Sequence, residues 1–429
     1  MKKKYRIILY TSIFLLCVVA SIILVVKKSN SVYEEESKPK VVKHKSMLSM
    51  NLEQTAGAGD YKTVTQSKWP TEGYKFNAEL SRCENGSTLS WDDTKKAVIV
   101  SGNLSDKCYV YFDIYQPTLA EYIKSQYTGT QGENNIYYHD SDLANGAGDN
   151  SYRYAGANPN NFVCFGTTES PCPTDNLYRI IGVFGENYHG VTGKQLVKLI
   201  KYDYMTTDEL GTDGDYSQTY KEWGMDSTYK GTYGDGERIG VYYWNYKATG
   251  SATNTWSTSL LNKTNLNTNF INNIGTTWAN KIATVTWKVG GNTWANIGTK
   301  TSSVAYTNEI TNPVTTNTTD NATTYSAKIG LMYVSDYGFA ASPDAWTLTM
   351  SSYNNTTATN NNWMYMGLYE WTISRYADYS DFAFTVDGGG RVYGNYVDDD
   401  RGVRASFNLE SSVSYVSGSG SMSDPIVIN

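Results

Sequence analysis

The sequence describes an α+β protein carried in front of an N-terminal membrane helix. Three features point that way: a run of 20 mostly apolar residues at Ile7–Val26, four cysteines beyond it, and a downstream mixture of alternating and helix-spaced apolar residues. Hydrophobic residues make up 40% of the 429 and charged residues only 18%, so the chain can bury a core and lacks the charge density of a disordered one.

The apolar run is interrupted only by Tyr10, Thr11, Ser12, Cys17 and Ser21. At a rise of about 1.5 Å per residue it reaches across a hydrocarbon layer of about 30 Å. Lys2, Lys3, Lys4 and Arg6 precede it, and Lys27 and Lys28 follow. That balance places the N-terminus inside and the rest of the chain outside. A cleaved signal peptide competes with this reading, but the run is long for one and no A-x-A cleavage site follows it. Leu16, before Cys17, argues against a lipoprotein site. Residues 1–28 are therefore read as basic cytoplasmic residues and a signal-anchor. Residues 29–68 read as a flexible stalk, polar and mixed in charge, with Glu34–Glu36 close to Lys38, Lys40, Lys43 and Lys45.

Cys83, Cys108, Cys164 and Cys172 form an even set in an exported segment, which reads as two disulfides. Of the connectivities open to them, pairing of sequence neighbours is the natural one. Ala97–Val100, a turn at Gly102–Asn103 and Tyr109–Phe112 read as a hairpin that a Cys83–Cys108 bridge would staple, and Cys164–Cys172 would close a short loop. A zinc site is the rival, but neither pair has C-x-x-C spacing and no histidine lies near. Residues 69–175 thus form a small, disulfide-stapled, β-rich region. Within it Thr118 and Glu121 make a capping box that opens a helix over Thr118–Tyr127, ended by Gly129. Asp140–Asp149 faintly resembles a calcium loop but lacks its glycine and its terminal acid, and reads as a surface loop.

The larger region, residues 176–429, opens with a hairpin of Tyr178–Phe184 and Gln195–Lys201. Leu266, Phe270, Ile271 and Ile274 fall at helical spacing behind Trp256, with Ser257 or Thr258 as the cap. The Thr- and Asn-rich stretches 297–328 and 351–362 read as long exposed loops, and Ile329–Ser335 between them as a buried strand. The chain holds 37 Tyr against 11 Phe and 11 Trp. Rings with a polar tip suit half-wet faces that meet sugars or proteins, and equally the cross-strand pairs of a Tyr-rich sheet. The net charge of −6 offers no basic stripe for nucleic acid.

Two blocks carry a resemblance. Met366-Gly-Leu-Tyr-Glu-Trp371, with Trp363 before it and Arg375-Tyr376 after it, resembles the aromatic-Glu-Trp signature of the formylglycine-generating (sulfatase-modifying-factor) enzymes. Arg391-Val-Tyr393 and Gly402-Val-Arg404 follow in that family's order. Ser417–Gly420 and Ser423–Ile426 resemble the closing run of a bacterial surface-protein branch of the same fold. The resemblance spans about 176–429 and implies a C-type-lectin-like outer domain. It does not imply the family's copper-dependent oxidation, because the required cysteine pair has no counterpart between Arg391 and Phe407 and no residue there replaces a soft thiolate ligand.

No catalytic residue is assigned: no Ser/His/Asp or Cys/His set and no phosphate loop is present. Candidate ligand-binding residues are Trp371, Tyr393, Asn395, Tyr396 and Arg404. No cofactor is expected other than calcium, for which Asp387, Asp398, Asp399 and Asp400 are the weak candidates, a solvated acidic turn being the alternative. Glu370 has no paired acid at a known spacing, and by the resemblance supports a hydrogen bond beneath Trp371. Arg404 reads as an anion ligand or as one half of an ion pair to an aspartate. The expected function is a membrane-anchored extracellular binding module for glycan or protein ligands. An enzyme of unknown reaction in the same cleft, or a structural adhesive protein, are the alternatives.

Overall fold

A computed structural model describes residues 48–65, 68–70, 73–220, 228–234, 238–312 and 323–429. The anchor expected at Ile7–Val26 and the stalk up to residue 47 lie outside the described residues. Among the described residues no helix is long and apolar enough to cross a membrane. The chain is mixed α and β, mostly strand, with several sheets. It divides into two compact units, Met1–Gln116 and Pro117–Asn429.

In the first unit β1 (Leu48–Glu53), β2 (Tyr61–Val64), β3 (Tyr74–Cys83) and β6 (Cys108–Ile114) form one sheet in the order β2-β1-β6-β3, and β4 (Thr88–Asp92) pairs with β5 (Ala97–Ser101). The stalk expected over 29–68 is therefore already sheet from Leu48. Met50 and Leu52 alternate inward with Val110 and Phe112 and exclude water from one face, which a free polar linker cannot do. The expected hairpin is also rearranged. Ala97–Val100 pairs with β4, whereas Tyr109–Phe112 sits between β3 and β1, because Val110 and Phe112 supply the buried face of that sheet. The disulfide Cys83–Cys108 forms as expected, joining residues directly opposite in the β3/β6 ladder.

The second unit begins with α1 (Leu119–Ser125). Thr118 Oγ1 accepts from the Glu121 backbone N–H and Glu121 accepts from Thr118 N, the anticipated capping box. Next come β7 (Ile136–His139), β8 (Ser151–Tyr154), β9 (Phe162–Cys164), β10 (Leu177–Phe184), α2 (Glu186–His189) and β11 (Leu196–Lys201). They are followed by α3 (Thr207–Leu210), β12 (Tyr216–Thr219), β13 (Gly240–Tyr243) and a wide, π-type helix over Leu261–Phe270 that runs into α4 (Ile271–Ala279). Then β14 (Val285–Lys288), β15 (Gly291–Asn292), α5 (Ser302–Tyr306), β16 (Thr324–Ala327), β17 (Ile329–Gly330), α6 (Val334–Ala340) and α7 (Thr356–Asn360) lead to the C-terminal strands. These are β18 (Glu370–Tyr376), β19 (Phe382–Val386), β20 (Val392–Tyr396), β21 (Asp400–Gly402), β22 (Ser406–Asn408) and the closing pair β23 (Tyr415–Ser417) and β24 (Val427–Ile428).

Two seven-stranded sheets organise the unit. The first runs β17-β22-β11-β10-β8-β7, with β9 also on β10, and the second runs β12-β13-β21-β18-β19-β20, with β15 on β18. Their central strands, β10 and β18, are buried along their whole length, so both read as near-continuous rather than alternating. Gly182 lets β8 approach at the β10 bulge, since a Cβ there would lie 2.3 Å from the Tyr152 carbonyl oxygen. Phe165, Tyr178, Phe407, Trp244, Trp371 and Phe384 belong to one continuous core.

The expected β10/β11 hairpin and the Cys164–Cys172 disulfide are both present. The boundary expected at 175/176 falls inside the first sheet, because β7, β8 and β9 lie before it and are paired, directly or through β8, to β10 after it. Four further expectations change. The stretch 302–311 is helical with Ala305, Tyr306 and Ile310 buried, not an exposed loop, and 356–360 is the short helix α7. Ile329–Ser335 is strand only at Ile329–Gly330 before the chain turns into α6. Ser259, not Ser257 or Thr258, caps the polar helix by accepting from the Asn262 N–H at 3.2 Å.

Candidate functional site

The aromatic-Glu-Trp block and the Gly-Val-Arg block meet inside the protein. Arg404 Nε and Nη2 donate to Glu370 Oε1 and Oε2 at 2.8 and 2.9 Å, a two-point ion pair, and Nη2 also donates to the Met364 carbonyl at 2.7 Å. Both side chains are buried. Arg404 is thus half of an internal ion pair, with Glu370 rather than an aspartate as partner. Trp371 is fully buried and its Nε1 donates to the Tyr242 carbonyl at 2.8 Å. Neither Trp371 nor Arg404 is at a surface where a ligand can reach it. They tie β18, β13 and the segment after β21 together.

The surface candidates lie on β20, the outermost strand of the second sheet. Successive residues of a strand face opposite ways, so Tyr393 and Asn395 share one face and Tyr396 takes the other. Tyr393 is 44% exposed. The half-buried Trp294, which follows β15, stands edge-on to its ring with centroids 5.6 Å apart, and the Arg391 guanidinium lies 4.6 Å from the ring centre. Asn395 receives a hydrogen bond from Thr385 Oγ1 at 2.7 Å and donates to Asp399 at 3.2 Å. Those bonds hold the amide at a fixed angle beside the ring. On the opposite face Tyr396, 52% exposed, leans on Phe382 at 4.3 Å, and Tyr379, 58% exposed, stands 5.3 Å from that same ring.

The four aspartates are not brought together. Asp387 closes the turn between β19 and β20: it accepts from the Gly389 and Arg391 backbone N–H groups and from Arg391 Nε at 2.8 Å. Asp399 accepts from Arg401 Nη2 at 3.0 Å, and Asp400 accepts from Ser217 and Gln218. Asp398 is exposed. Among the described residues no three His, Cys, Asp or Glu side chains converge as a metal site would require. Donors of their own neighbourhood occupy Asp387, Asp399 and Asp400 instead.

Two features went unread in the sequence. Trp294 sits alone in a Thr- and Asn-rich stretch, and only the β15–β18 pairing carries it to Tyr393. Arg391 was legible, since residues two apart along a strand share a face. An open, polar groove of about 510 Å³ elsewhere in the unit is lined by Glu186, Asn187, Gly190, Thr192, Lys288 and Thr311, with Ile310. None of the expected site residues lies in it.

The two disulfides suit an oxidising, extracytoplasmic compartment. No protein-family model matches the chain, and neither a curated protein nor a solved structure is significantly similar to it.

Proposed function

We infer that the chain is a membrane-anchored extracellular binding module whose Pro117–Asn429 unit has a C-type-lectin-like fold and takes a glycan on the outer strand β20. The observation that carries this reading is the exposed ring of Tyr393, flanked by Trp294 and Arg391, with the amide of Asn395 held beside it. A sugar ring offers an apolar C–H face and a rim of hydroxyls. An aromatic ring beside fixed amide and guanidinium groups answers both. The fold reading is supported by the order of the two signature blocks and by the Glu370–Arg404 pair that joins them.

The experiment is a glycan array probed with the chain from residue 48 onward, with Tyr393→Ala and Trp294→Ala as variants. Binding that falls at least about tenfold in both variants, the fold being intact by circular dichroism, is the expected result. Unchanged binding in both, or no glycan bound by the parent chain, overturns the reading. One observation favours a protein ligand as the second reading: β20 ends its sheet, and an outer strand can accept a partner strand through its backbone. Capture of a protein that survives Tyr393→Ala but is lost when proline replaces a β20 residue would select it.

A further inference from the structure

Strand β11 reads Leu-Val-Lys-Leu-Ile-Lys, and its first lysine points into the core. Lys198 is fully buried, as is Asp336 in α6, although 138 residues separate them. Lys198 Nζ stands 2.6 Å from Asp336 Oδ2 and donates to the Tyr188 hydroxyl at 2.7 Å. That hydroxyl donates in turn to Asp336 Oδ1 at 2.6 Å. The rings of Tyr333, Trp287 and Tyr188 enclose the amine, with centroids 4.4, 4.9 and 5.0 Å from Nζ. Arg153, also buried, is paired to Asp149 through Nη2 at 2.8 Å. Its Nη1 makes no hydrogen bond among the described residues and stands 3.8 Å from Asp336 Oδ1.

A lysine and an aspartate enclosed by aromatic rings are an expensive ion pair, because both charges have left water. The same two groups can shed both charges by condensing. We propose that Lys198 and Asp336 join through an amide between Nζ and Cγ, a covalent cross-link between β11 and α6. The ammonium passes one proton to Oδ2, its nearest neighbour, which leaves a neutral amine and a neutral carboxylic acid. The amine attacks Cγ, and the negative charge that develops falls on Oδ1, where the Tyr188 hydroxyl and the unused Nη1 donor of Arg153 receive it. The nitrogen gives a second proton to the departing Oδ2 hydroxyl, which leaves as water. Of the three ammonium protons one stays on the amide and two leave in the water, and the charges cancel. No oxidant, metal or further reactant enters. Burial also lowers the lysine's proton affinity, against the opposing pull of Asp336, which favours the neutral amine needed for attack.

Intact mass spectrometry of the full chain, reduced so that its two disulfides are open, tests this directly. The expected mass is that of the sequence less one water. A tryptic digest should contain a branched peptide joining the segment with Lys198 to the segment with Asp336, because cleavage after an acylated lysine is blocked. Lys198→Met keeps the buried stem without the amine, and its reduced mass should show no deficit. A reduced parent chain at full sequence mass, or a deficit mapped to other residues, overturns the proposal and leaves Lys198 and Asp336 as an ion pair. The parent-chain measurement decides the matter even if the variant fails to fold.

Discussion

Replacing Glu370 with glutamine isolates the weight carried by the junction of the two signature blocks. The substituted side chain keeps the size of the original but leaves the Arg404 guanidinium buried beside a neutral amide, with the Met364 carbonyl as its remaining firm acceptor. Breaking one partner of a buried ion pair costs about 3–5 kcal/mol, because the surviving charge has no water and no counterion. Domains of ordinary stability have about 5–15 kcal/mol in total, so this one change should remove about a fifth or more of it. Urea unfolding of the chain from residue 48 onward, followed by tryptophan emission, should place the midpoint of the Pro117–Asn429 transition far below that of the parent. Replacing both residues, Glu370→Met with Arg404→Met, should recover most of the loss, since neither charge is then left unmatched. A Glu370→Gln variant within about 1 kcal/mol of the parent would show that water reaches the pair and that it does not hold the two blocks together.

Four further outcomes follow from the geometry. Asp215 accepts from the Leu260 and Leu261 N–H groups, yet burial outweighs these bonds and raises its carboxyl to about 6. The native state therefore holds this proton more tightly than the unfolded chain, and the stability it contributes is full below about pH 4 and is lost as pH rises through about 6, at most roughly 3 kcal/mol. Asp215→Asn should flatten that slope in unfolding measured between those limits; a variant curve parallel to the parent's counts against it. Opening Cys83–Cys108, 25 residues apart, should cost its unit about 3.5 kcal/mol, and opening Cys164–Cys172, 8 apart, about 2.5 kcal/mol by the loop-closure model; equal losses in serine variants would contradict the ordering. Gly367 has φ +89°, and a Cβ there would lie 1.9 Å from the Thr228 carbonyl oxygen, so Gly367→Ala should lower stability by more than about 2 kcal/mol, read by thermal unfolding. Tyr393→Ala should leave stability within about 0.5 kcal/mol of the parent, because the ring is not part of the core, while glycan binding is lost.

What was legible in the sequence was local or covalent. Thr118 and Glu121 announce their helix because a cap is a contact between residues three apart. The disulfides follow from sequence proximity, and the β10/β11 hairpin from two apolar runs around a turn. The reading failed wherever a distant partner decides. Tyr109–Phe112 follows Ala97–Val100 closely yet pairs with strands from much earlier in the chain, since the sheet needs Val110 and Phe112 on its buried face. The 302–311 helix is written in Ser, Thr and Asn, poor helix formers in isolation; burial of Tyr306 and Ile310 outweighs their propensity. Trp371 looked like a ligand platform because an aromatic residue in a Gly-rich stretch fits a binding surface and a core equally well. Only the indole N–H, answered by the Tyr242 carbonyl, separates the two.

The ends of the Pro117–Asn429 unit hold one another. Leu119 N donates to the Val413 carbonyl, Tyr415 N to the Pro117 carbonyl, and Cys164 N to the Ile426 carbonyl, while Ser414 N donates to Asn429 Oδ1. During synthesis the segment around Pro117 emerges first and must wait for residues 413–429 before its backbone groups are answered. Completion of this unit is thus deferred until its final stretch has been synthesised, and a stalled or truncated chain would be exposed there to proteolysis. The same closeness marks the unit as suited to circular permutation: a short linker across the two ends, with new termini opened in a surface loop, would keep every strand pairing in place.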